Sequence, residues 1–271
     1  MEAEIIFEKV SFRYPESEHD VFTDLDLTLP PGIVSLIGQN GTGKSTLLLL
    51  ASGRLMPTAG RVLIRGTDTR DLADEDSRQV LVSFIYQNLE FETDETIGSL
   101  LTYVRDHGLL ERSADPIPEL IDAFELEPIL GRRTQEVSKG ELQRTVLAFS
   151  LLYGAPLLAM DEPIFALEDR QKTAAMEFLT RRVRTGGVSL YYSVHELDIS
   201  ERYSDFLVLF SRENPPRVGS TREIFTRETI EKAYGVPVDF LKKREELYRR
   251  TLLKLLAVNG RVEGPPAESS C

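Results

Sequence analysis

A glycine-rich run near the N-terminus constrains this chain more than any other part of its sequence. The run separates two apolar segments, residues 33–37 and 47–51, and it consists of Gly38, Gln39, Asn40, Gly41, Thr42, Gly43, Lys44, Ser45 and Thr46. Its glycines let the backbone curl so that successive N–H groups face inward, and a helix that begins near Lys44 adds its positive dipole end. This spacing, with a strand before and a helix after, predicts a phosphate-binding loop.

The polar side chains of the loop suit a nucleotide. Lys44 can reach the β and γ oxygens, Ser45 can offer a hydroxyl to Mg²⁺, and Thr46 can reach the α-phosphate. The alternative is a glycine-rich turn before a core helix. The spacing and the strand-to-helix context both favour the phosphate loop over that alternative.

Two adjacent carboxylates follow an apolar segment in the second half of the chain. Residues 157–160 read as a buried strand that delivers Asp161 and Glu162, and Pro163 stops the strand. Beside a phosphate loop, Asp161 would hold the water shell of Mg²⁺, and Glu162 would serve as a base for the attacking water. The alternative is an acidic turn that begins the next helix, because acidic residues are common at helix N-termini.

A third motif, residues 137–144, resembles the signature sequence of ABC-type ATPases. Ser138, Gly140 and Glu141 match the family pattern, whereas Lys139 replaces its first glycine. The resemblance implies that this segment grips the γ-phosphate of a nucleotide bound to the opposite subunit. Ser138 is also a good helix N-cap with Glu141 as its capping-box partner, and the two roles are compatible.

The other landmarks of the family appear in order along the chain. The resemblance implies that Gln87 senses Mg²⁺ and contacts the partner, that His195 bonds the γ-phosphate, and that Tyr14 stacks on adenine. Taken singly, Gln87 and His195 are polar residues after a strand, and Tyr14 is equally a core aromatic. Phe165 and Glu168 depart from the Ser and Asp that the family carries there, which leaves communication between paired sites open.

The resemblance implies ATP and Mg²⁺ as ligands, and composition is compatible with them. The net charge of −12 disfavours nucleic acid as a partner, but it does not disfavour a local phosphate site. No apolar run approaches the roughly 20 residues of a membrane helix, and Glu2 and Glu4 replace the lysines of a signal peptide. The single cysteine, Cys271, allows no internal disulfide. We expect a cytoplasmic protein, peripheral on the cytoplasmic face of the membrane.

The hydrophobic pattern predicts an α/β protein. The pattern indicates a mainly parallel sheet flanked by helices, with an antiparallel β flank. The resemblance implies that this sheet is a P-loop NTPase core and that the helical segment is the helical subdomain of the family. The expected ATPase domain covers residues 1–235, with the helical subdomain at about 89–150, and residues 236–271 form a C-terminal helix and a disordered tail. The predicted strands are residues 3–12, 24–29, 61–65, 80–86, 157–160, 188–194 and 206–210.

Three functions fit this scaffold. The first is the ATP-hydrolysing subunit of a membrane ABC transporter, which pairs head to tail with a second copy and drives a separate transmembrane permease. Residues 221–226 and 234–236 resemble importers of iron chelates, haem or cobalamin. The second is a soluble ABC ATPase, although the chain shows no second cassette or coiled-coil insertion. The third is a nucleotide-dependent switch with little turnover, which Glu162 disfavours and Glu168 leaves open.

Overall fold

The computed structural model describes residues 3–72, 74–87, 91–110 and 116–241. The chain divides into two compact units, residues 1–235 and residues 236–271. In the second unit, the amides of Phe240 and Leu241 donate to the carbonyl of Pro237. The predicted C-terminal tail, together with the predicted helix beyond residue 241, lies outside the described residues, and the domain boundaries stay a prediction.

The first unit alternates strands with helices. Its strands are β1 (Ile5–Phe12), β2 (Phe22–Leu29), β3 (Ile33–Ile37), β4 (Ala59–Ile64), β5 (Thr67–Asp68), β6 (Val82–Ile85), β7 (Leu157–Asp161), β8 (Ser189–Ser193), β9 (Phe206–Leu209) and β10 (Arg217–Ser220). Its helices are α1 (Lys44–Ala51), α2 (Glu75–Leu81), α3 (Ile97–His107), α4 (Ile117–Ala123), α5 (Lys139–Tyr153), α6 (Asp169–Gly186), α7 (Leu197–Tyr203), α8 (Thr221–Ile224) and α9 (Arg227–Tyr234).

A six-stranded sheet forms the centre of the unit, in the order β10-β9-β3-β8-β7-β6. Strands β9, β3, β8, β7 and β6 are parallel, and β10 is antiparallel to β9. Every residue of β3, β7 and β8 is buried, as expected where helices cover both faces of a sheet. The carboxyl ends of the parallel strands therefore meet at one edge, where the loops after β3, β6, β7 and β8 converge.

A second, antiparallel sheet has the order β2-β1-β4-β5 and forms the predicted β flank. Ile5 pairs with Leu29 on one side and with Ile64 on the other. All three side chains are buried in one core cluster together with residues of β3 and α1. This cluster holds α1 in place, because its Leu47 and Leu48 are fully buried and each contributes about 1.5–3 kcal/mol.

The segment between β6 and β7 is helical in its described parts. Residues 91–110 and 116–150 contain α3, α4 and the greater part of α5, with one isolated bridge between Thr96 and Arg133 as their only β pairing. Apolar side chains of these helices share a core cluster with α6. None of the helices in the described residues is both long enough and apolar enough to cross a membrane.

One strand begins later than predicted. Val80 and Leu81 belong to the end of α2, and β6 starts only at Val82. The helix forms because Asp74 and Ser77 close a capping box at its start and acidic residues occupy its first turn. These polar signals outweigh the β-branched character of the segment that follows them.

Candidate functional site

The glycine-rich loop follows β3 and opens α1, as its sequence predicts. Gly38 has φ of 147° and Gly43 has φ of 100°, in the left-handed region that favours glycine. A Cβ on Gly38 would lie 2.7 Å from the Phe210 carbonyl oxygen, and one on Gly43 would lie 2.9 Å from the Phe22 ring. Conformation and close packing thus both require glycine at these positions.

Lys44 folds back over the loop that it follows. Its ammonium donates hydrogen bonds to the carbonyl oxygens of Gly38, at 2.9 Å, and Gln39, at 3.0 Å. Burial lowers the pKa of Lys44, while the charges of Glu162 and Asp161 oppose that shift. The structure therefore places the loop cation within electrostatic reach of the two carboxylates that the sequence assigned to the same site.

Ser193, at the end of β8, orients both carboxylates. Its hydroxyl donates a hydrogen bond to Asp161 Oδ1 at 2.5 Å and accepts one from the backbone N–H of Glu162 at 3.0 Å. Ser193 is fully buried, so no water competes for these bonds. The contact arises because Ser193 and Asp161 are paired residues of neighbouring parallel strands.

Glu162 occupies an unusual backbone conformation, with φ of 52°. A non-glycine residue there costs about 1–2 kcal/mol, so the surrounding contacts have to hold it. His195 Nε2 lies 2.6 Å from Glu162 Oε1, whereas Oε2 is buried and has no hydrogen-bond partner among the described residues. One oxygen is thus engaged by an imidazole, and the other retains its acceptor capacity.

Gln143 on α5 contacts the backbone on both sides of Pro163. Its side-chain amide donates to the carbonyl of Glu162 at 3.0 Å, and its oxygen accepts from the N–H of Ala166 at 2.8 Å. The sequence motifs gave no role to Gln143 or to Ser193. Only the strand order and the packing of α5 reveal them, because their partners lie about 20 to 30 positions away in sequence.

Two further contacts link the loop to its surroundings. The hydroxyls of Tyr14 and Thr46 are 3.0 Å apart, and the Tyr14 ring meets Phe12 edge to face. The Gln39 side chain donates to the carbonyl of Tyr234, at the end of α9. Tyr14 remains partly exposed beside α1, a position that leaves part of its ring available for stacking.

Other predicted site residues are not joined to the loop. Gln87, two residues beyond β6, is exposed and has no hydrogen bond within the described part of the chain. Ser138 caps α5: its hydroxyl accepts from the N–H of Glu141, and the Glu141 carboxylate accepts from the N–H of Ser138. No hydrogen bond or ion pair between described residues connects Ser138, Gly140 or Glu141 to the phosphate loop. Lys139 begins the helix without a positive φ.

The donor set at the loop suits Mg²⁺ rather than a metal held by protein alone. The described residues contain no group of three or more His, Cys, Asp or Glu side chains that could hold a metal ion. Mg²⁺ typically uses one or two carboxylates together with phosphate oxygens and water. Asp161, oriented by Ser193, and the hydroxyl of Ser45 offer that combination beside the phosphate loop.

Comparison with known proteins gives a consistent result. The family described as "ABC transporter" matches residues 22–165. The hemin import ATP-binding protein HmuV of Bordetella avium is 31% identical, over 87% of this chain and 94% of its own length. The HMP/thiamine import ATP-binding protein YkoD of Bacillus subtilis is 26% identical over 83% of this chain, which spans 41% of its length. A solved ATP-binding subunit of an ABC transporter is 26% identical, with a TM-score of 0.73, over 89% of this chain and 98% of that one.

Proposed function

This chain belongs to the ABC transporter family, and from that premise we propose that it forms a head-to-tail homodimer that closes on ATP. Its biochemical activity is that of the family, the hydrolysis of ATP to power transport. In the proposed cycle, ATP closes two copies on each other and hydrolysis reopens them. The motion drives a separate transmembrane permease, on whose cytoplasmic side the chain lies.

The arrangement of Lys44, Asp161, Glu162 and His195 is the observation that carries the proposal. Lys44 begins the helix after β3, Asp161 ends β7 with Glu162 directly after it, and His195 follows β8. These strands are adjacent in the parallel sheet, so the side chains meet at one edge. Phosphoryl transfer to water requires a cation, a carboxylate that holds Mg²⁺ and a second carboxylate that accepts a proton. Here both carboxylates are buried, and Glu162 has one oxygen that no described residue pairs.

Each residue has a distinct role in this proposal. The loop N–H groups and Lys44 bind the phosphates, Tyr14 stacks on the base, and Ser45 and Asp161 hold Mg²⁺. When bound, Mg²⁺ supplies positive charge against the phosphate oxygens. Glu162 orients the attacking water and accepts its proton at Oε2, the buried oxygen for which the described residues offer no hydrogen-bond partner.

His195 and Gln87 complete the proposed site from its two sides. The imidazole of His195 contacts the other oxygen of Glu162 through Nε2. We propose that the same ring turns to donate to the γ-phosphate once ATP is bound, because a neutral imidazole has one N–H to offer. Gln87 lies after β6, the strand that pairs with β7 at the edge of the parallel sheet, and we propose that it approaches Mg²⁺ when the dimer closes.

The second copy supplies the remaining groups. Among the described residues, no hydrogen bond joins Ser138, Gly140 or Glu141 to the phosphate loop of their own chain. Ser138 is the N-cap of a 15-residue helix, and Gly140 and Glu141 lie in its first turn. The N-terminus of such a helix favours anions. We therefore assign these residues to the γ-phosphate on the opposite protomer, where family resemblance places them.

The cargo belongs to the partner subunits of the transporter. HmuV is named for hemin import and YkoD for HMP/thiamine import, so relatives of similar sequence serve different substrates. We propose an importer as the setting for this chain and assign no cargo to it.

The replacement Glu162→Gln tests the proposal. It keeps the side-chain shape and removes the base, so ATP binding should persist while turnover falls at least about a hundredfold. The ATP-bound dimer should then accumulate in size-exclusion chromatography, while wild type with ADP stays monomeric. Glu177→Gln, on the exposed face of α6, is the matched control. A monomeric Glu162→Gln variant at saturating Mg²⁺ and ATP, with full ATP binding, would contradict the homodimer.

A further inference from the structure

We propose that Gln143 is a positioning residue that couples the signature helix α5 to Glu162, and thereby joins the two ATP sites of the dimer. This inference rests on the proposed function, because it needs Glu162 as the base and Ser138 as a group that meets the opposite nucleotide. No motif assigns a role to Gln143. Its two hydrogen bonds to the 162–166 loop, which follows β7 and precedes α6, identify it.

The first step is the hold on Glu162. The Gln143 amide donates to the Glu162 carbonyl at 3.0 Å, on the residue whose backbone has φ of 52°. Ser193 binds the N–H of the same residue from β8. The same carbonyl also accepts from the N–H of Phe165 in the loop, at 3.2 Å. Glu162 is therefore held at its N–H by the sheet and at its carbonyl by its own loop and by α5, and Gln143 supplies the bond that comes from α5. These bonds together maintain an otherwise unfavourable conformation.

The second step is the hold on the rest of the loop. Gln143 Oε1 accepts from the N–H of Ala166 at 2.8 Å. One turn earlier on α5, a Cβ on Gly140 would lie 2.9 Å from the Ala166 carbonyl, so the helix backbone packs directly against the loop. The first turns of α5 and the 162–166 loop thus contact each other both through backbone packing and through the Gln143 side chain.

The consequence appears in the head-to-tail arrangement. Ser138 caps the helix that carries Gln143, and in the proposed dimer it touches the γ-phosphate of the partner's site. Glu162 serves the site of its own chain. A displacement of α5 caused by ATP at one site is therefore passed through Gln143 to the base at the other site. This route within one chain couples ATP hydrolysis at the two sites of the dimer.

Two replacements of Gln143 distinguish the effects of its hydrogen bonds to Glu162 and to Ala166. Gln143→Met keeps the length of the side chain and removes both hydrogen bonds. Gln143→Glu keeps an acceptor for the Ala166 N–H but turns a carboxylate oxygen towards the Glu162 carbonyl, so only the bond to Glu162 is lost. Gln135→Met, at an exposed glutamine before α5, is the matched control. The measurements on the full chain are steady-state ATPase rates against ATP concentration, ADP affinity by calorimetry, and thermal unfolding.

We expect both Gln143 variants to lose about tenfold to a hundredfold in kcat, the scale of a misplaced catalytic group. Their Hill coefficients for ATP should fall from the wild-type value towards one. ADP affinity should change less than about threefold, because the phosphate loop is untouched, and Gln135→Met should match wild type. In the Glu162→Gln background, Gln143→Met should cause no further loss of turnover, since both act through one base.

Each other outcome overturns the inference. Wild-type kcat and Hill coefficient in Gln143→Met would show that neither bond matters. Wild-type behaviour of Gln143→Glu beside a defective Gln143→Met would place the role at Ala166 rather than at Glu162. If Gln143→Met and Gln143→Glu both lose ADP binding and unfold at a lower temperature than wild type, the role of Gln143 is purely structural. If the wild-type protein does not hydrolyse ATP and the Glu162→Gln variant does not dimerise, the proposed function is wrong, and this inference is wrong with it.

Discussion

His195 and Glu162 are in direct contact, with the imidazole Nε2 2.6 Å from the carboxylate Oε1. Oε1 of Glu162 is therefore engaged by the histidine, whereas Oε2 has no hydrogen-bond partner among the described residues. An acceptor oriented in this way is prepared for a water molecule before that water arrives. Pre-organised groups of this kind contribute to catalysis because they need little rearrangement in the transition state.

The replacement His195→Ala should lower kcat by about a hundredfold, the lower range for a group that assists proton transfer. ATP affinity should stay within a few-fold of wild type, because Lys44 and the loop N–H groups remain. Steady-state kinetics and nucleotide calorimetry measure the two effects. His107→Ala, whose ring stacks on Tyr103 in α3, is the control and should retain full turnover. Equal losses in both variants would refute a specific role for His195.

Ser193→Ala should damage both carboxylates at once. It removes the donor to Asp161 and leaves the Glu162 N–H without its acceptor, which costs about 1–3 kcal/mol of stability for a buried group. We expect a higher Mg²⁺ requirement for ATP turnover, measured by titration of Mg²⁺ at fixed ATP. Ser35→Ala is the control, because Ser35 is equally buried and bonds Ser200 in neighbouring β3 and α7. It should lose stability but keep the wild-type Mg²⁺ dependence.

Lys44→Ala should nearly abolish ATP binding while the fold survives. The change removes the loop cation from a strongly acidic protein, and a charge-assisted bond to phosphate is among the stronger polar contacts. Calorimetric titration with ATP measures the loss, and circular dichroism confirms the fold. Lys232→Ala, at an exposed position of α9, should bind ATP normally. Wild-type affinity in a folded Lys44→Ala variant would disprove the phosphate-loop assignment.

The pH dependence of ATP binding should report on the same lysine. Burial lowers the pKa of Lys44 from its ordinary value of 10.5, so the protonated form that binds phosphate is lost as pH rises through the lowered pKa. Affinity should therefore be complete below that pKa and should fall above it, at a lower pH than an exposed lysine would allow. Fluorescent-nucleotide titrations across alkaline pH test this. Lys44→Arg keeps its charge and should show a flat profile.

Lys139→Gly should alter dimerisation rather than relieve strain. A positive φ at position 139 would have favoured glycine, but Lys139 begins α5 without one, so the substitution should cost up to about 1 kcal/mol of helix stability. We expect the variant to keep its activity and to need a different ATP concentration for dimerisation in the Glu162→Gln background. Light scattering against ATP concentration measures this. An unchanged curve would show that the ammonium takes no part in closure.

Sequence predicts the elements of this fold best where the signal is local. The phosphate loop and the strand before Asp161 are contiguous motifs, and the structure has β3, α1 and β7 where the pattern predicts them. Short β5 escapes prediction because two residues are too few for a period to show, and β10 escapes because its four residues include one large apolar side chain, Val218, whereas β6 and β9 are mainly apolar. The start of β6 is misplaced because a capping box, rather than side-chain alternation, decides residues 75–81.

The residues of the candidate site likewise fall into those that a local sequence pattern predicts and those that it does not. Lys44, Asp161, Glu162 and His195 are predictable because each follows a recognisable strand, and parallel strands bring their carboxyl ends together. Ser193 gives no such signal, since a serine inside an apolar strand says nothing about what it bonds. Its function depends on β8 lying between β3 and β7, an order that no local pattern encodes.

The left-handed backbone of Glu162 has a consequence for directed evolution. Glycine is the residue that fits φ of 52° without penalty, so a library selected only for thermal tolerance should enrich glycine at this position. The survivors would melt later and would have lost the base that the glutamate supplies. A higher melting temperature gained at position 162 would then come with lower turnover. A screen for thermally stable variants of this protein therefore has to measure both quantities.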